Sequence, residues 1–266
     1  MQVHLINLDR SRDRLASFLA TNAHLTKVSR FPAIDGRSLD LSALIRAGVM
    51  AEGLLHKDYY TLGAVGAAMS HISLWEEATK TGTPLTIAED DAIFHSRFEA
   101  HAAEVIGCLP PDWDLILWGW NFDLFLCFEM LPGISISLSQ FEQDRLRANV
   151  ARFPDIPVSP RAFPLLWSFG IPCYSVTPKG ARALKALCLP LNPTIASFPP
   201  AARTPLHAHL FRNVGIDSAM NNAYSKISAH VCFPPLVVTC NERATSTIQE
   251  GPQDSPARAA PQPPQE

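Results

Sequence analysis

Leu85-Thr86-Ile87-Ala88 is a short apolar run that ends directly on three consecutive carboxylates, Glu89-Asp90-Asp91. Adjacent carboxylates repel one another, and burying them without a compensating cation is costly. The run reads as a buried strand, so the triplet belongs at the carboxyl end of a sheet, where chain meets solvent or ligand. In extended backbone Glu89 and Asp91 share one face and Asp90 points to the other. Two oxygen ligands on one face suit Mn²⁺ or Mg²⁺, hard ions that keep positions open for phosphate oxygens. The plain alternative is a solvated acidic turn.

The same strand-to-polar-turn pattern recurs along the chain. Val3 to Leu8 reads as a strand feeding a helix that begins near Ser11, with Leu15, Phe18 and Leu19 at helical spacing. Phe31 to Gly36 reads as a second strand closing on an Asp-Gly turn. Leu62, Val65, Met69, Ile72 and Trp75 then mark one helix face, stopped by Gly82 and Pro84. A helix is expected over 100–109, a strand at Asp114–Trp118, and loops over 121–163 with a helix around 140–152. Trp167 to Val176 reads as one strand, and Thr177-Pro178 as the N-cap and first turn of the next helix. Prolines make 190–206 a loop; a helix over 217–225 and a strand near Val231 follow. Strands alternating with helices predict an α/β fold around a mixed, mainly parallel sheet, with ligands beyond the carboxyl ends of its strands.

A hydrophobic fraction of 47% supports a real core over 1–250, whereas the Pro- and Gln-rich tail, 251–266, is expected to be disordered. The net charge of −3 lacks the polycationic footprint of a nucleic-acid binder. No apolar run is long enough to span a bilayer, which leaves a cytoplasmic protein as the expectation. The six cysteines form no C-x-x-C pair and read as reduced, mostly buried thiols.

Five blocks of the sequence together resemble glycosyltransferase family 25, the lipooligosaccharide-type sugar transferases. They are Ile6-Asn7-Leu8-Asp9-Arg10-Ser11 with Arg14, then Ala33-Ile34-Asp35-Gly36, then Leu62-Gly63 with Gly66 and Ser70-His71-Ile72-Ser73-Leu74-Trp75. Ala88-Glu89-Asp90-Asp91 and the segment from Tyr174 to Ala181 complete the set. The resemblance implies a nucleotide-diphospho-sugar transferase (GT-A-like) fold with a donor half near 1–120 and an acceptor half near 121–250. It implies a UDP-sugar donor, often UDP-galactose or UDP-glucose, inversion at the anomeric carbon, and a saccharide or glycolipid acceptor in surface polysaccharide assembly. A lipid-linked acceptor would bring the protein to the inner face of a membrane as a peripheral partner. One departure is Ala67, where the family often has cysteine.

The remaining candidates carry two readings each. Asn7, Arg10, Ser11 and Arg14 lie where the first strand meets its helix; they suit a nucleotide's phosphates or an ordinary polar helix start. Asp35 and Gly36 offer a ribose or uracil contact or a plain turn. Ser70 and His71 would bind donor or support the triplet, or be satisfied within the core. Trp120 and Asn121 offer a sugar platform, against simple aromatic packing for the indole. An inverting transfer needs a base; Asp217 is the candidate, or else a helix cap, with Asp123 and Asp114 behind it. His207, His209 and His230 are open as further metal ligands. A binding protein that keeps the fold and lacks catalysis is the alternative function.

Overall fold

A computed structural model describes residues 1–54, 57–195 and 211–241. In chain order the strands are β1 (Val3–Asn7), β2 (Val28–Pro32), β3 (Leu85–Glu89), β4 (Ala92–Phe94), β5 (Leu115–Leu117), β6 (Phe125–Leu131), β7 (Ser135–Gln140), β8 (Arg161–Trp167), β9 (Cys173–Val176), β10 (Thr194–Ile195), β11 (Phe211–Arg212), β12 (Ala229–Phe233) and β13 (Val237–Thr239). The helices are α1 (Arg12–Thr21), α2 (Leu41–Arg46), α3 (Leu62–Thr81), α4 (Phe98–Gly107), α5 (Gln143–Asn149), α6 (Pro178–Cys188) and α7 (Ile216–Met220).

A nine-stranded sheet in the order β2-β1-β3-β9-β5-β12-β8-β6-β7 forms the centre. Period-two alternation sends neighbouring side chains to opposite cores. Ile6, Ile87 and Leu117 join the apolar cluster under α3 and α6, whereas Leu5, Ala88 and Ile116 join the one under α1 and α4. The result is a three-layer α/β structure. Each large side chain sealed in these layers contributes about 1.5–3 kcal/mol of burial.

The central helix forms as its ends dictate. Thr61 caps α3 by accepting from the Ala64 N–H at 3.1 Å, and Gly82 ends it at φ +68°. Gly36 and Gly66 let α3 close on the loop after β2: a Cβ on Gly66 would stand 2.4 Å from the Ile34 carbonyl oxygen, and one on Gly36 would stand 1.7 Å from that of Leu62. Gly36 thus serves the approach of two backbones, and needs no ligand to explain it.

Five expectations change. The sheet is mixed, as expected, but not mainly parallel: β1–β2, β1–β3 and β5–β12 are parallel, but β3–β9, β5–β9, β8–β12, β6–β8 and β6–β7 are antiparallel. Strand β9 runs against both neighbours and is buried throughout, so its apolar run looks the same as that of a parallel strand. The strand expected over Trp167–Val176 is two, broken by Gly170 at φ +77°. The expected loops over 121–163 contain the β6–β7 hairpin and the start of β8. Finally, β2 ends at Pro32, and Gly36–Ser38 is a 3-10 turn; the helix expected over 217–225 is only Ile216–Met220, followed by a 3-10 turn at Tyr224–Lys226. Most of the expected 190–206 loop and the whole 251–266 tail lie outside the described residues.

Candidate functional site

Strands β1 and β3 are parallel neighbours, so Asn7 and Glu89 end side by side at the same edge of the sheet. A cavity of about 410 Å³ opens there. It is lined by the ends of β1 and β3, by the loop at Ile34–Gly36, by Thr239, which pairs with Ala92 next to the triplet, and by Asn121, Asp123, Gly170, Asp217 and Asn241.

The three carboxylates of the triplet have separate surroundings. Asp90 is held by cations and amides. Its Oδ1 accepts from Arg14 Nε at 2.8 Å and from Arg14 Nη2, and its Oδ2 accepts from Asn7 Nδ2 at 2.7 Å. Asn7 also donates to the Ser11 carbonyl at 3.1 Å and accepts from Arg30 Nε at 3.1 Å. Glu89 faces the cavity with His71 Nε2 3.5 Å from its Oε1. Among the described residues Asp91 Oδ1 is buried without a hydrogen-bond partner, and Asp91 Oδ2 lies 3.9 Å from Arg14 Nη2.

Burial pushes the Glu89 carboxyl well above the usual carboxylate range, and repulsion from Asp91, Asp217 and Asp90 adds to it against the pull of Arg14. Burial raises Asp91 as well, with Arg14 opposing. Asp217 is raised by burial, against the Gly170 N–H that donates to its Oδ2 at 2.9 Å. These groups resist ionising together, which is the electrostatic condition a bound cation relieves. Among the described residues no three His, Cys, Asp or Glu side chains converge as a metal cage. Glu89 and Asp91 are the carboxylates that would hold a hard cation here, one that keeps most of its ligands from outside the protein, as Mg²⁺ does.

On the rim, Asp35 accepts from Arg10 and from the Arg37 backbone and guanidinium, and the Arg37 hydrogen bonds hold its carboxyl far below the usual range. His71 is buried against Tyr174, and burial lowers its pKa to about 3, so it is a neutral imidazole.

The structure thus brings Asn7, Arg10, Arg14, Asp35, Gly36, His71, Glu89, Asp90, Asp91, Asn121 and Asp217 to one cavity. Five candidates fall elsewhere. Ser70 is sealed beneath it, accepting from the Ile34 N–H at 2.9 Å and donating to the Gly66 carbonyl at 2.8 Å. Ser11 contributes its backbone carbonyl to Asn7 rather than a hydroxyl to the cavity. Trp120 is fully buried, stacked 5.7 Å from Phe122 and 6.0 Å from Phe233, and presents no face to a sugar. Asp114 ties Lys179 and the Ser228 N–H together as a structural group. His230 is buried in β12, away from the cavity, and His207 and His209 lie outside the described residues.

Thr239 and Asn241 were absent from the expected set. Gln143 Nε2 and Arg147 hold the Cys240 carbonyl at 2.9 and 2.8 Å, and Arg147 also holds that of Asn241. Asn241 adopts φ +48° and donates to Asp123 Oδ2 at 2.9 Å. An asparagine after an apolar strand is the one sequence signal for such a left-handed turn.

A mixed α/β sheet thus ends in a carboxylate-lined, guanidinium-flanked cavity at the carboxyl ends of its parallel strands β1 and β3. The model for Glycosyltransferase family 25 (LPS biosynthesis protein) matches residues 1–192, and the chain belongs to that family. It is 31% identical over 150 residues to the human "Inactive glycosyltransferase 25 family member 3", covering 51% of this chain and 25% of that protein. It is 30% identical over 129 residues to the human "Procollagen galactosyltransferase 2", covering 44% and 20%. A "Glycosyltransferase 25 family member" of Anopheles gambiae is 30% identical over 125 residues, covering 44% and 21%. The chain thus spans about a quarter of the length of the curated relatives it matches. Among solved structures, A197 from STIV aligns over 89% of this chain and 83% of its own at 11% identity and a TM-score of 0.37, too distant a likeness to assign a fold type. Among the described residues no helix is long and apolar enough to cross a membrane.

Proposed function

We propose that this chain is an inverting glycosyltransferase of GT-A-like type that moves a hexose, galactose or glucose, from a UDP-sugar to a saccharide or glycolipid hydroxyl. The observation that carries it is the cavity's asymmetric charge. Glu89 and the partnerless Asp91 Oδ1 lie beside Arg14, with Asp217 across the same space.

Arg10 and Arg14 attract the diphosphate, and Asp90 keeps Arg14 aimed at it. Asp35 and the loop at Ile34–Gly36 border the nucleoside. Mn²⁺ or Mg²⁺ held by Glu89 and Asp91 would offset the charge that grows on the leaving diphosphate. Asp217 takes the proton from the acceptor hydroxyl as its oxygen bonds to the anomeric carbon and the bond to phosphate breaks. Its raised pKa makes it a stronger base than a solvated aspartate. Asn121, Asp123 and Asn241 line the acceptor side. A lipid-linked acceptor would place this chemistry at the cytoplasmic face of a membrane.

The test is nucleotide release across UDP-, GDP- and CMP-sugars, with Mn²⁺, with EDTA, and in Asp91→Ala. Metal-dependent turnover of a UDP-sugar that the substitution abolishes supports the proposal; turnover indifferent to both EDTA and substitution removes the metal from it. A second reading, a nucleotide-sugar-binding protein without catalysis, is favoured by the word "inactive" in a relative's name. Donor binding by calorimetry with no transfer or hydrolysis would select it.

A further inference from the structure

Behind Glu89 runs a chain of buried polar groups that the proposed chemistry leaves unused. Trp75 Nε1 donates to Tyr174 Oη at 2.8 Å, and the same oxygen lies 2.9 Å from His71 Nδ1. On the far side of the imidazole, Nε2 faces Glu89 Oε1 at 3.5 Å. Trp75 and Tyr174 are 0% exposed and His71 is 1% exposed, so bulk solvent does not reach them.

Only one placement of protons satisfies this row. An indole N–H can donate and cannot accept. Tyr174 Oη therefore takes the Trp75 proton as acceptor, and its own O–H is free to donate to His71 Nδ1. That leaves the imidazole proton on Nε2, pointing at the Glu89 carboxylate. The opposite tautomer fails at the tyrosine, which would face two donors with its own proton unmet. An unmet buried donor is costly, so the first pattern wins.

We propose that Trp75, Tyr174 and His71 form a positioning relay for Glu89. Tyr174 fixes His71 as the Nε2–H tautomer, His71 engages Oε1 from behind, and the other carboxylate oxygen is left to ligate the cation. His71 is then a positioning residue rather than a contact of the donor. This inference rests on Glu89 being a metal ligand, as in the proposed function. Partners of this kind, placed behind a metal's own ligands, typically change metal affinity about 10–100-fold when removed.

Two measurements test it. In the unliganded wild-type protein, ¹⁵N shifts of the histidine rings, with His71 assigned by comparison with His71→Gln, report which nitrogen carries the proton. Nε2–H with Nδ1 as acceptor is expected, and the Nδ1–H tautomer overturns the relay without any variant having to fold. Next, Mn²⁺ affinity is read from the free-ion electron paramagnetic resonance signal in the presence of UDP. Tyr174→Phe and His71→Leu are expected to weaken Mn²⁺ at least about tenfold, and His71→Gln, which can present an N–H to Glu89, to recover most of the loss. Wild-type Mn²⁺ affinity in folded Tyr174→Phe and His71→Leu overturns the relay and leaves the metal intact. If the wild type binds no Mn²⁺, the metal reading itself fails and the relay falls with it. Loss of metal-free UDP binding in His71→Leu would make His71 a donor contact and also overturn the proposal.

Discussion

Asp90→Asn is the most informative single substitution, because the structure separates Asp90 from its two acidic neighbours. Asp90 accepts three hydrogen bonds, two from Arg14 on Oδ1 and one from Asn7 on Oδ2. Asparagine keeps the shape but turns one acceptor into an NH₂ that must face Arg14 or Asn7. It also removes the charge opposite a guanidinium whose side chain is 25% exposed. Breaking a fully buried ion pair by removing one partner costs about 3–5 kcal/mol. The side chains here are 25% and 12% exposed, so water recovers part of that, and about 2–3 kcal/mol is the expected loss. At roughly 2–4 °C per kcal/mol for a chain near this size, Tm should fall by about 4–12 °C in calorimetry. A cycle with Arg14→Gln isolates the pair, with a coupling of about 1.5–3 kcal/mol expected for charge-assisted bonds. Additive single effects, or a Tm within a degree of wild type, would refute the assignment of Asp90 as the anchor of Arg14.

Gly66→Ala should cost about 1–3 kcal/mol in chemical denaturation, because its Cβ meets backbone at Ile34 and Gly36 and neither side can yield cheaply. Gly107→Ala, with nothing within 4 Å of the new atom, should leave stability equal or slightly higher. Tyr60, Tyr174 and Tyr224 are all raised above their ordinary pKa by burial. Their contribution is fully present below pH ~10, where unfolded tyrosine ionises, and is lost as pH rises above it at about 1.4 kcal/mol per unit for each group. Cys127, Cys173, Cys188 and Cys232 are raised by burial in the same way from an ordinary value of 9.0, so thermal melts from pH 8 to 11 should show stability starting to fall above about 9 and falling more steeply above about 10. If Asp217 is the base, transfer should fail on the acid side with a midpoint above the ordinary 3.8, and Asp217→Asn should lose at least about a hundredfold in kcat with donor binding intact. A rate profile flat down to pH 4 would count against it.

The elements that were legible in the sequence are those whose signals are local. Thr61 and Gly82 bracket α3, Thr177-Pro178 opens α6, and the apolar run at Leu85–Ala88 is β3. The triplet's placement at a sheet end followed from the same run. Strand direction was not legible, because β9 is buried on both faces and no periodicity distinguishes antiparallel insertion from a parallel crossover. Partners distant in sequence were also hidden. Asp90 meets Asn7 across 83 positions, and Trp75 meets Tyr174 across 99. Trp120 illustrates the reverse error: an aromatic after a strand looks like a sugar platform, but Phe122, Phe141 and Phe233 surround it.

The residues lining the cavity have unequal ties to the family. Asn7, Arg10, Arg14, Asp35, His71, the Glu89–Asp91 triplet, Asn121 and Asp123 lie within the matched residues 1–192. Val214, Asp217, Thr239 and Asn241 lie beyond them and line the same cavity. That later segment is tied back to the first 192 residues: Gly170 donates to Asp217, Asp123 accepts from Asn241, and Gln143 with Arg147 clamps the turn at Cys240. On the proposed function, Asp123 and Asn241 form the acceptor side, apart from the residues assigned to the donor. Substitutions at Asp123 or Asn241 should therefore change which acceptor is used while leaving donor affinity near wild type. Acceptor competition assays at fixed donor would show this, and a parallel loss of donor binding would contradict the separation.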